Sequence, residues 1–253
     1  MKTVTIRNLE IGVGMPKICV PIFGKTESEI LEHVQSLEPD SCDLIEWRAD
    51  FFEGVFDFQR VLNLLGDLRA IIGEKPLLFT FRTAGEGGQR SISDDDYRSL
   101  NCSVAQSGLV DLVDVELFSG EETVNEIMQV VHQFHTFVIL SNHDFEETPS
   151  QAEIVSRLRL AQKLGGDILK IAVMPRCRRD VLTLLSATEE MAAEYADRPL
   201  ITMSMGGSGA VSRLSGECFG SAITFASAGK GSAPGQLPAA ELKKILTLLH
   251  TSM

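Results

Sequence analysis

The chain has 253 residues, of which 44% are hydrophobic, and its 35 acidic and 23 basic residues give a formal net charge of −12. This size is enough for one large domain with a substantial core, and we expect a single domain over residues 1–253. The acidic balance argues against nucleic acid as a partner. No apolar run approaches the length of a membrane span, and residues 1–6 do not begin a signal peptide.

The cysteines and histidines give no sign of a metal site. Five cysteines are present, an odd number, and none forms a C-x-x-C pair. This usage is typical of reduced thiols in a cytoplasmic protein and not of a disulfide framework. The sequence also lacks an H-E-x-x-H motif and a histidine pair at i and i+4. We therefore expect a cytoplasmic protein without a bound metal or other cofactor.

Short apolar runs alternate along the chain with amphipathic segments of helical period. Residues 3–6 and 10–13 predict a small N-terminal β-hairpin. Eight later runs predict strands: Ile18–Phe23, Asp43–Arg48, Leu77–Arg82, Leu112–Leu117, Phe137–Ser141, Ile168–Val173, Leu200–Met203 and Ala222–Ala226. Between them, helices are predicted to begin near Thr26, Ser93 and Ser150, each of which can accept a hydrogen bond from the first turn.

This alternation predicts an α/β protein of the (β/α)8 TIM barrel type, with the short β-hairpin in front of it. An open doubly wound sheet is the alternative, but the G-x-G-x-x-G fingerprint after the first strand is missing. The glycine-, serine- and alanine-rich stretch from Ser227 to Gly235 predicts a mobile loop and is too short to join two domains.

Lys170 is the most informative residue because it lies inside the apolar strand Ile168–Val173. Burial disfavours an ammonium and makes a neutral amine available near pH 7, which Schiff-base chemistry on a carbonyl substrate requires. The alternative is a lysine whose amine reaches solvent from a strand end. The first interpretation is favoured because other predicted strands also end in charged residues.

Those charged residues are expected to meet at one rim, because active sites of such barrels lie at the carboxyl ends of the strands. Glu46 and Arg48, two residues apart, point to the same side of one strand. Further polar residues close or follow other strands: Arg82, Glu116, His143, Arg213, Ser232 and Gln236. Such a set indicates a small polar ligand. The role of Glu116 stays open, since it could simply pair with Arg82 or with a backbone amide.

Seven segments carry a resemblance to a known family: Glu46-Trp47-Arg48, Phe79-Thr80-Phe81-Arg82, Glu86-Gly87-Gly88, Ser141–Phe145, Lys170–Pro175, Thr202–Met205 and Ser232–Gln236. In their order and spacing, over nearly the whole chain, they resemble the type I 3-dehydroquinate dehydratases. The resemblance implies a barrel that forms a homodimer and removes water from 3-dehydroquinate to give 3-dehydroshikimate. It also implies a place in the shikimate pathway of aromatic amino acid biosynthesis, and an imine on lysine without metal.

The resemblance further implies roles for individual residues. Lys170 corresponds to the imine-forming lysine, His143 to the general acid and base, and Glu86 to the carboxylate that orients the histidine. Arg213 corresponds to the arginine that binds the substrate carboxylate. The remaining implied substrate-binding residues are Glu46, Arg48, Arg82, Ser232 and Gln236. Pro21 departs from the family, because some members carry a serine there that can contact substrate.

Two other functions fit a lysine in a barrel strand. One is a class I aldolase-type barrel, and the other is a non-catalytic barrel that binds small carboxylates. The Glu86–His143 pair and the loop Ser232–Gln236 favour the dehydratase over the aldolase. A non-catalytic barrel would be expected to lack Lys170, His143 or Arg213, and the chain retains all three.

Overall fold

The computed structural model describes residues 3–38, 40–229 and 231–253, so Lys230 in the predicted loop lies outside the described residues. The strands in these ranges are β1 Val4–Ile6, β2 Leu9–Ile11, β3 Lys17–Ile22, β4 Leu44–Arg48, β5 Leu77–Thr80, β6 Leu112–Glu116, β7 Phe137–Asp144, β8 Ile168–Val173, β9 Leu200–Ser204 and β10 Ile223–Phe225. The α-helices are α1 Glu27–Gln35, α2 Phe58–Ile72, α3 Asp94–Gln106, α4 Glu121–Gln133, α5 Gln151–Lys163, α6 Arg178–Glu190, α7 Ala210–Leu214, α8 Gly216–Phe219 and α9 Ala239–His250.

Strands β3 to β10 form one parallel sheet in the order β10-β3-β4-β5-β6-β7-β8-β9. At least one helix follows each of these strands. Strands β9 and β10 are the two edges of this sheet. They are linked at their amino-terminal ends, where the Ala222 N–H donates to the Leu200 carbonyl oxygen at 2.7 Å. The Thr202 N–H also donates to Ser221 Oγ at 3.0 Å. The sheet is therefore a nearly closed (β/α)8 barrel, which confirms the predicted fold class.

The predicted hairpin is also confirmed, and it covers the amino-terminal end of the barrel. Strands β1 and β2 are antiparallel, and Ile6 and Ile11 from them are buried against the first residues of the barrel strands. Arg7, in the turn, fastens the hairpin through Asp111 at 2.6 Å and Glu74 at 2.7 Å. The apolar contacts and these ion pairs together close this end.

Side chains that face the barrel axis recur at every second residue, as strand geometry requires. The lowest layer is buried and apolar: Cys19, Leu44, Leu78, Leu112, Ile139, Ile168, Ile201 and Ile223. Two residues later comes a buried layer that is mostly polar: Glu46, Thr80, Asp114, Ser141 and Lys170, with Met203 and Phe225. The alternate residues pack against the helices and form the main core. The barrel thus has an apolar floor and a charged upper half.

The predicted helix starts are confirmed by their caps. Thr26 Oγ1 accepts from the backbone N–H three residues later at 3.3 Å, and Ser93 and Ser150 do the same at 3.1 and 3.3 Å. Each cap satisfies one donor that the first helical turn would otherwise leave unpaired. Within the described ranges, no helix combines the length and apolar character needed to cross a membrane.

One strand is longer than predicted. Strand β7 continues past Ser141 to Asp144, and His143 pairs with Ala172 of β8 instead of following the strand. The polar residues Asn142 and His143 hid this extension in the sequence. Backbone pairing with a long neighbour sustains the strand where side-chain polarity predicts a loop.

Pro21 lies in β3 at a position where its missing N–H is not needed. The Cys19 carbonyl oxygen accepts from the Ala226 N–H at 2.9 Å, so residue 21, two positions on, faces the same neighbour β10. Strand β10 ends at Phe225, before it could accept a hydrogen bond from that position. The proline is therefore compatible with a central strand.

Candidate active site

A cavity of about 180 Å³ opens at the carboxyl ends of the barrel strands. It is lined by every residue for which the resemblance implies a role: Glu46, Arg48, Arg82, Glu86, His143, Lys170, Arg213, Ser232 and Gln236. Apolar side chains, including Phe145 and Met205, complete the wall. The fold thus gathers into one space site residues from three strands (β4, β7 and β8), from helix α7 and from the loops after β5 and β10.

Lys170 occupies the middle of β8 and points into this cavity with 5% of its surface exposed. Its Nζ donates to Asp114 Oδ2 at 2.8 Å and lies 4.6 Å from the centroid of the Phe225 ring. The interpretation in which the amine reaches solvent is therefore wrong. Asp114, which the sequence reasoning overlooked, is fully buried and is the ion-pair partner of the lysine.

Arg82 holds three carboxylates beneath the cavity. Its guanidinium donates to Asp114 Oδ1 at 2.6 Å and to Glu116 Oε1 at 2.9 Å, and it lies 3.6 Å from Glu86 Oε2. Burial alone would lower the pKa of Arg82, but these three acids raise that pKa well above its usual value. Glu116 also accepts from the Thr83 N–H at 2.8 Å. Both partners considered for Glu116, the arginine and a backbone amide, are thus confirmed.

His143 and Glu86 form a close pair at the rim. His143 Nδ1 lies 2.8 Å from Glu86 Oε2, and the His143 backbone N–H donates to the same oxygen at 2.9 Å. Burial lowers the pKa of His143 well below its usual value, and the charges of Arg82 and Lys170 lower it further. Burial also raises the pKa of Glu86 to about 7, against the opposing effect of Arg82. When Glu86 is ionised, Nδ1 carries the ring proton and Nε2 can accept one from a ligand.

A second contact fixes the orientation of Glu86 from outside the barrel. Asn142 Nδ2 donates to Glu86 Oε1 at 3.1 Å, while Asn142 Oδ1 accepts from Arg157 of α5 at 2.9 Å. A guanidinium can only donate, so Arg157 determines which end of the amide faces the carboxylate. The positions of Glu86 and His143 therefore depend on a helix residue that does not line the cavity.

Arg213 differs from the other cations of the site. It is 1% exposed, and among the described residues its guanidinium donates only to neutral atoms, namely the Phe225 and Pro234 carbonyl oxygens at 3.4 and 3.2 Å and Met203 Sδ at 3.5 Å. Its Nε has no hydrogen-bond partner among the described residues. Burial lowers the pKa of Arg213 to about 10. A buried guanidinium in this state favours an anionic ligand, and its fork suits a carboxylate.

The loop after β10 covers the same side of the cavity. The Ser232 N–H donates to Gln236 Oε1 at 2.8 Å, which gives the loop an internal brace. The Gly206 N–H donates to the Pro234 carbonyl oxygen at 3.2 Å. A Cβ on Gly235 would lie 2.3 Å from the Gly206 carbonyl oxygen, so only glycine permits this approach. Ser232 and Gln236 are consequently held at the mouth.

Glu46 and Arg48 lie one above the other on β4, as predicted from their spacing. Glu46 Oε1 accepts from Thr80 Oγ1 at 2.9 Å. Arg48 donates to both oxygens of Asp50 at 2.9 and 3.1 Å. Asp50 is fully buried, also accepts from the Gln89 N–H at 3.0 Å, and was not anticipated from the sequence. These contacts fix the two side chains before any ligand binds.

Asp114 and Asp50, the two carboxylates that the sequence prediction missed, differ in whether the sequence carries a signal for them. Asp114 stands two residues before Glu116 in the same predicted strand, the spacing used for Glu46 and Arg48. Asp50 gives no comparable signal, because it follows β4 in a short 3₁₀ turn. In the described ranges, no three His, Cys, Asp or Glu side chains are grouped as metal ligands.

Comparisons with known proteins agree with this geometry. A family model described as type I 3-dehydroquinase matches residues 18–253. The 3-dehydroquinate dehydratase of Clostridioides difficile is 52% identical over 252 residues, covering 100% of this chain and 99% of that protein. The enzyme of the same name from Bacillus licheniformis is 51% identical with the same coverage. A crystal structure of the type I enzyme from Clostridium difficile, with covalently modified comenic acid, is similar with a TM-score of 0.97, at 52% identity and 100% and 99% coverage.

Proposed function

Because the chain belongs to the type I 3-dehydroquinase family, we propose that it removes water from 3-dehydroquinate to give 3-dehydroshikimate through an imine on Lys170. The observation that carries the proposed mechanism is the buried Lys170 amine, which faces a cavity also lined by His143 and Arg213. The reaction belongs to the shikimate pathway of aromatic amino acid biosynthesis.

Arg213 binds the substrate carboxylate. Support comes from its burial, from its neutral hydrogen-bond partners and from the unpaired Nε. The bidentate contact orients the ring of the substrate so that its ketone reaches Lys170 Nζ. Ser232 and Gln236 contact the substrate from the loop, while Glu46 and Arg48 face its hydroxyl groups.

The chemistry proceeds through the imine as an electron sink. Lys170 Nζ adds to the ketone carbon, and the carbonyl oxygen leaves as water. The protonated imine then acidifies the adjacent C–H, and His143 Nε2 removes that proton. The electron pair expels the hydroxyl group, which leaves as water after His143 returns the proton. A water molecule hydrolyses the product imine and frees the lysine.

Glu86 orients the imidazole, and Arg82 orders the acids. The 2.8 Å contact from Glu86 to Nδ1 supports a ring whose Nε2 points toward the ligand. The three acid partners of Arg82 leave its guanidinium little freedom to reach a substrate. Its part in substrate binding is therefore to hold Asp114 and Glu86 in position.

We also propose that residues 1–253 form one domain, that two copies associate, and that the protein works in the cytoplasm. The continuous barrel supports one domain. The five free cysteines suit a reducing compartment. Association into a homodimer is what the family resemblance implies. Light scattering after size exclusion should give twice the mass of the 27.7 kDa chain, and a single chain mass would refute the dimer.

Reductive trapping tests the reaction. Borohydride added together with 3-dehydroquinate should leave a stable adduct on the peptide that contains Lys170, found by mass spectrometry. Borohydride alone should leave that peptide unchanged. In parallel, ultraviolet absorption should report the conjugated enone product. An adduct on another lysine, or product without any adduct, would overturn the imine mechanism.

The variant His143→Ala separates imine formation from proton transfer. Turnover should fall by at least about 10²-fold, because the proton shuttle is lost. The imine should still form, so the trapped mass should correspond mainly to substrate that has not been dehydrated. Unchanged turnover would remove His143 from the mechanism.

A further inference from the structure

The space around the Lys170 amine is arranged for a positive charge. Nζ meets a carboxylate oxygen of Asp114 at 2.8 Å on one side and the face of the Phe225 ring at 4.6 Å on another. Both contacts attract a cation and gain little from a neutral nitrogen. Other ionisable side chains around this space are Cys19, Glu46, Arg48, Arg82, Glu86, His143 and Arg213. Among the described residues, only Asp114 forms a hydrogen bond with Nζ.

The two oxygens of Asp114 have separate partners. Oδ1 accepts from Arg82, which follows β5, at 2.6 Å and from Ser141 Oγ of β7 at 2.6 Å. Oδ2 accepts from Lys170 Nζ alone among the described residues. The carboxylate is therefore anchored by one oxygen and presents the other to the amine. Its side chain has no exposed surface, so water does not compete for Oδ2.

This arrangement makes Asp114 a fixed anion and a poor base. Burial alone would raise the pKa of Asp114, but Arg82 and Lys170 hold that pKa well below its usual range. A carboxylate in this state does not take a proton from an ammonium. The proton that Lys170 must release before it attacks a ketone therefore does not go to Asp114, and it finally leaves with the carbonyl oxygen as water.

We propose that Asp114 is a catalytic residue, the counter-ion that keeps the imine on Lys170 protonated. The proposal rests on the proposed function, and it adds to it the group that makes the imine an electron sink. The overall step converts R–NH₃⁺ and a ketone into R–NH⁺=C and water. One positive charge on nitrogen is present before and after, while the C–N bond forms and the C–O bond breaks. Oδ2 therefore faces a cation at the start and at the end of this step and needs no rearrangement.

The protonation state of the imine determines whether the reaction can continue. A protonated imine withdraws electrons from the adjacent C–H bond, whereas a neutral imine does so only weakly. Arg82 lies on the far side of Asp114, and without the carboxylate its charge would repel a proton on Nζ. Removal of the carboxylate should consequently allow the lysine to condense with substrate but stop the next step.

Asp114→Asn tests this role, because it preserves shape and removes the charge. Borohydride reduces neutral and protonated imines, whereas cyanoborohydride reduces the protonated form. We expect kcat to fall by about 10²-fold, the effect of losing one preorganised electrostatic group, while KM stays within about threefold. Trapping by cyanoborohydride should slow at least about tenfold relative to trapping by borohydride.

Asp111→Asn is the matched control. Asp111 is a largely buried carboxylate just before β6, and it pairs with Arg7 and Arg69 at the opposite end of the barrel. Its loss should lower the melting temperature but leave turnover and the ratio of the two trapping rates unchanged. A change in that ratio in Asp111→Asn would show that general loosening produces it, and would overturn the assignment.

The outcomes separate the counter-ion from the underlying reaction. If the natural chain gives neither enone product nor adduct, the proposed function fails. If the natural chain is active and Asp114→Asn keeps its turnover and its cyanoborohydride trapping within about threefold, only the counter-ion proposal fails.

A measurement on the natural chain decides the matter if Asp114→Asn does not fold. The probe is 3-oxocyclohexane-1-carboxylate, a ketone with a carboxylate but no hydroxyl to expel, added to protein labelled with ¹⁵N in lysine. The imine nitrogen should resonate as a protonated iminium at pH 8. A neutral imine resonance would overturn the proposal.

Discussion

Arg82 and Arg213 are both buried at the same cavity, yet their surroundings are opposite. Arg82 lies among Asp114, Glu116 and Glu86, whose charges raise its pKa well above the usual value against the effect of burial. In the part of the chain that the structure describes, Arg213 donates hydrogen bonds only to carbonyl and sulfur atoms, and burial lowers its pKa to about 10. One arginine is neutralised by the protein itself, and the other has the surroundings expected for the proposed binding of a carboxylate.

The difference separates stability from binding. A guanidinium with its own carboxylates stabilises the folded chain, and its removal leaves uncompensated buried charge. A guanidinium without one destabilises the empty protein, because its desolvation is not offset until an anion arrives. Variants at the two positions should therefore change different quantities, and at Arg213 stability and affinity should move in opposite directions.

The largest effect is expected from Arg82→Met. The change leaves three buried carboxylates without their shared cation, and should lower the free energy of unfolding by about 3–5 kcal/mol. Urea unfolding without ligand at neutral pH measures this. Arg82→Lys, which keeps a charge but loses the fork, should recover only part of the stability. If the free energy of unfolding falls by less than about 1 kcal/mol, Arg82 does not stabilise the fold in the way that its three carboxylate partners indicate.

Arg213→Leu should weaken the apparent affinity for 3-dehydroquinate by roughly 30-fold or more, equivalent to about 2 kcal/mol. In the absence of substrate, the same variant should be more stable than the natural chain by about 1–3 kcal/mol, since a buried charge is removed. Steady-state kinetics and urea unfolding give the two numbers. Exposed Arg176→Ala is the control and should change neither. Unaltered affinity would place the substrate carboxylate elsewhere.

Glu86→Gln tests how the charge of a third buried group at this cavity makes stability depend on pH. Burial raises the pKa of Glu86 from its ordinary 4.5 to about 7, so the folded chain binds more protons than the unfolded chain between these values. Its ionisation therefore lowers stability as pH rises through this window, and the full loss is present above pH 7. The glutamine should stabilise the protein at pH 8 on the order of 2 kcal/mol and have almost no effect near pH 4.5. An equal effect at both values would contradict this.

The smallest effect is expected from Arg157→Ala, which acts on Glu86 through Asn142. The freed amide can turn and stop donating to Glu86, and loss of that donor raises the pKa of the carboxylate further. The acidic limb of the pH profile of kcat/KM should move upward by roughly half a unit. Arg159→Ala on the same helix is the control and should leave the limb in place. If the acidic limb of the profile does not move in Arg157→Ala, then α5 does not influence the pKa of Glu86.

The fold was largely predictable because each element carries its own pattern. Strand β8 matches its predicted bounds Ile168–Val173, and the caps of three helices were readable from one residue each. For strand β7 the sequence predicts an end at Ser141 because Asn142 and His143 are polar, whereas the strand continues to Asp144. Only the pairing with β8 shows that the strand continues, and pairing is a property of two segments together.

The site was predictable as a set of residues but not as a set of contacts. Spacing placed Glu46 and Arg48 on one face, and family resemblance supplied Lys170 and His143. The choice of Asp114 as partner of both Arg82 and Lys170 depends on register across β5, β6, β7 and β8. Residues 56 positions apart meet there, and single-strand patterns do not contain that information.

The N-terminal hairpin gives the barrel a blind end. With Ile6 and Ile11 seated under the apolar floor, the described structure leaves the mouth beside the Ser232–Gln236 loop as the passage to the lysine. The incoming substrate, the outgoing product and the water molecules released and taken up in the reaction must all pass through that mouth. A product molecule that lingers bars the next substrate from entering. Product inhibition should therefore be competitive. The rate of product release through the mouth sets an upper limit on turnover, however fast the bond-breaking steps become.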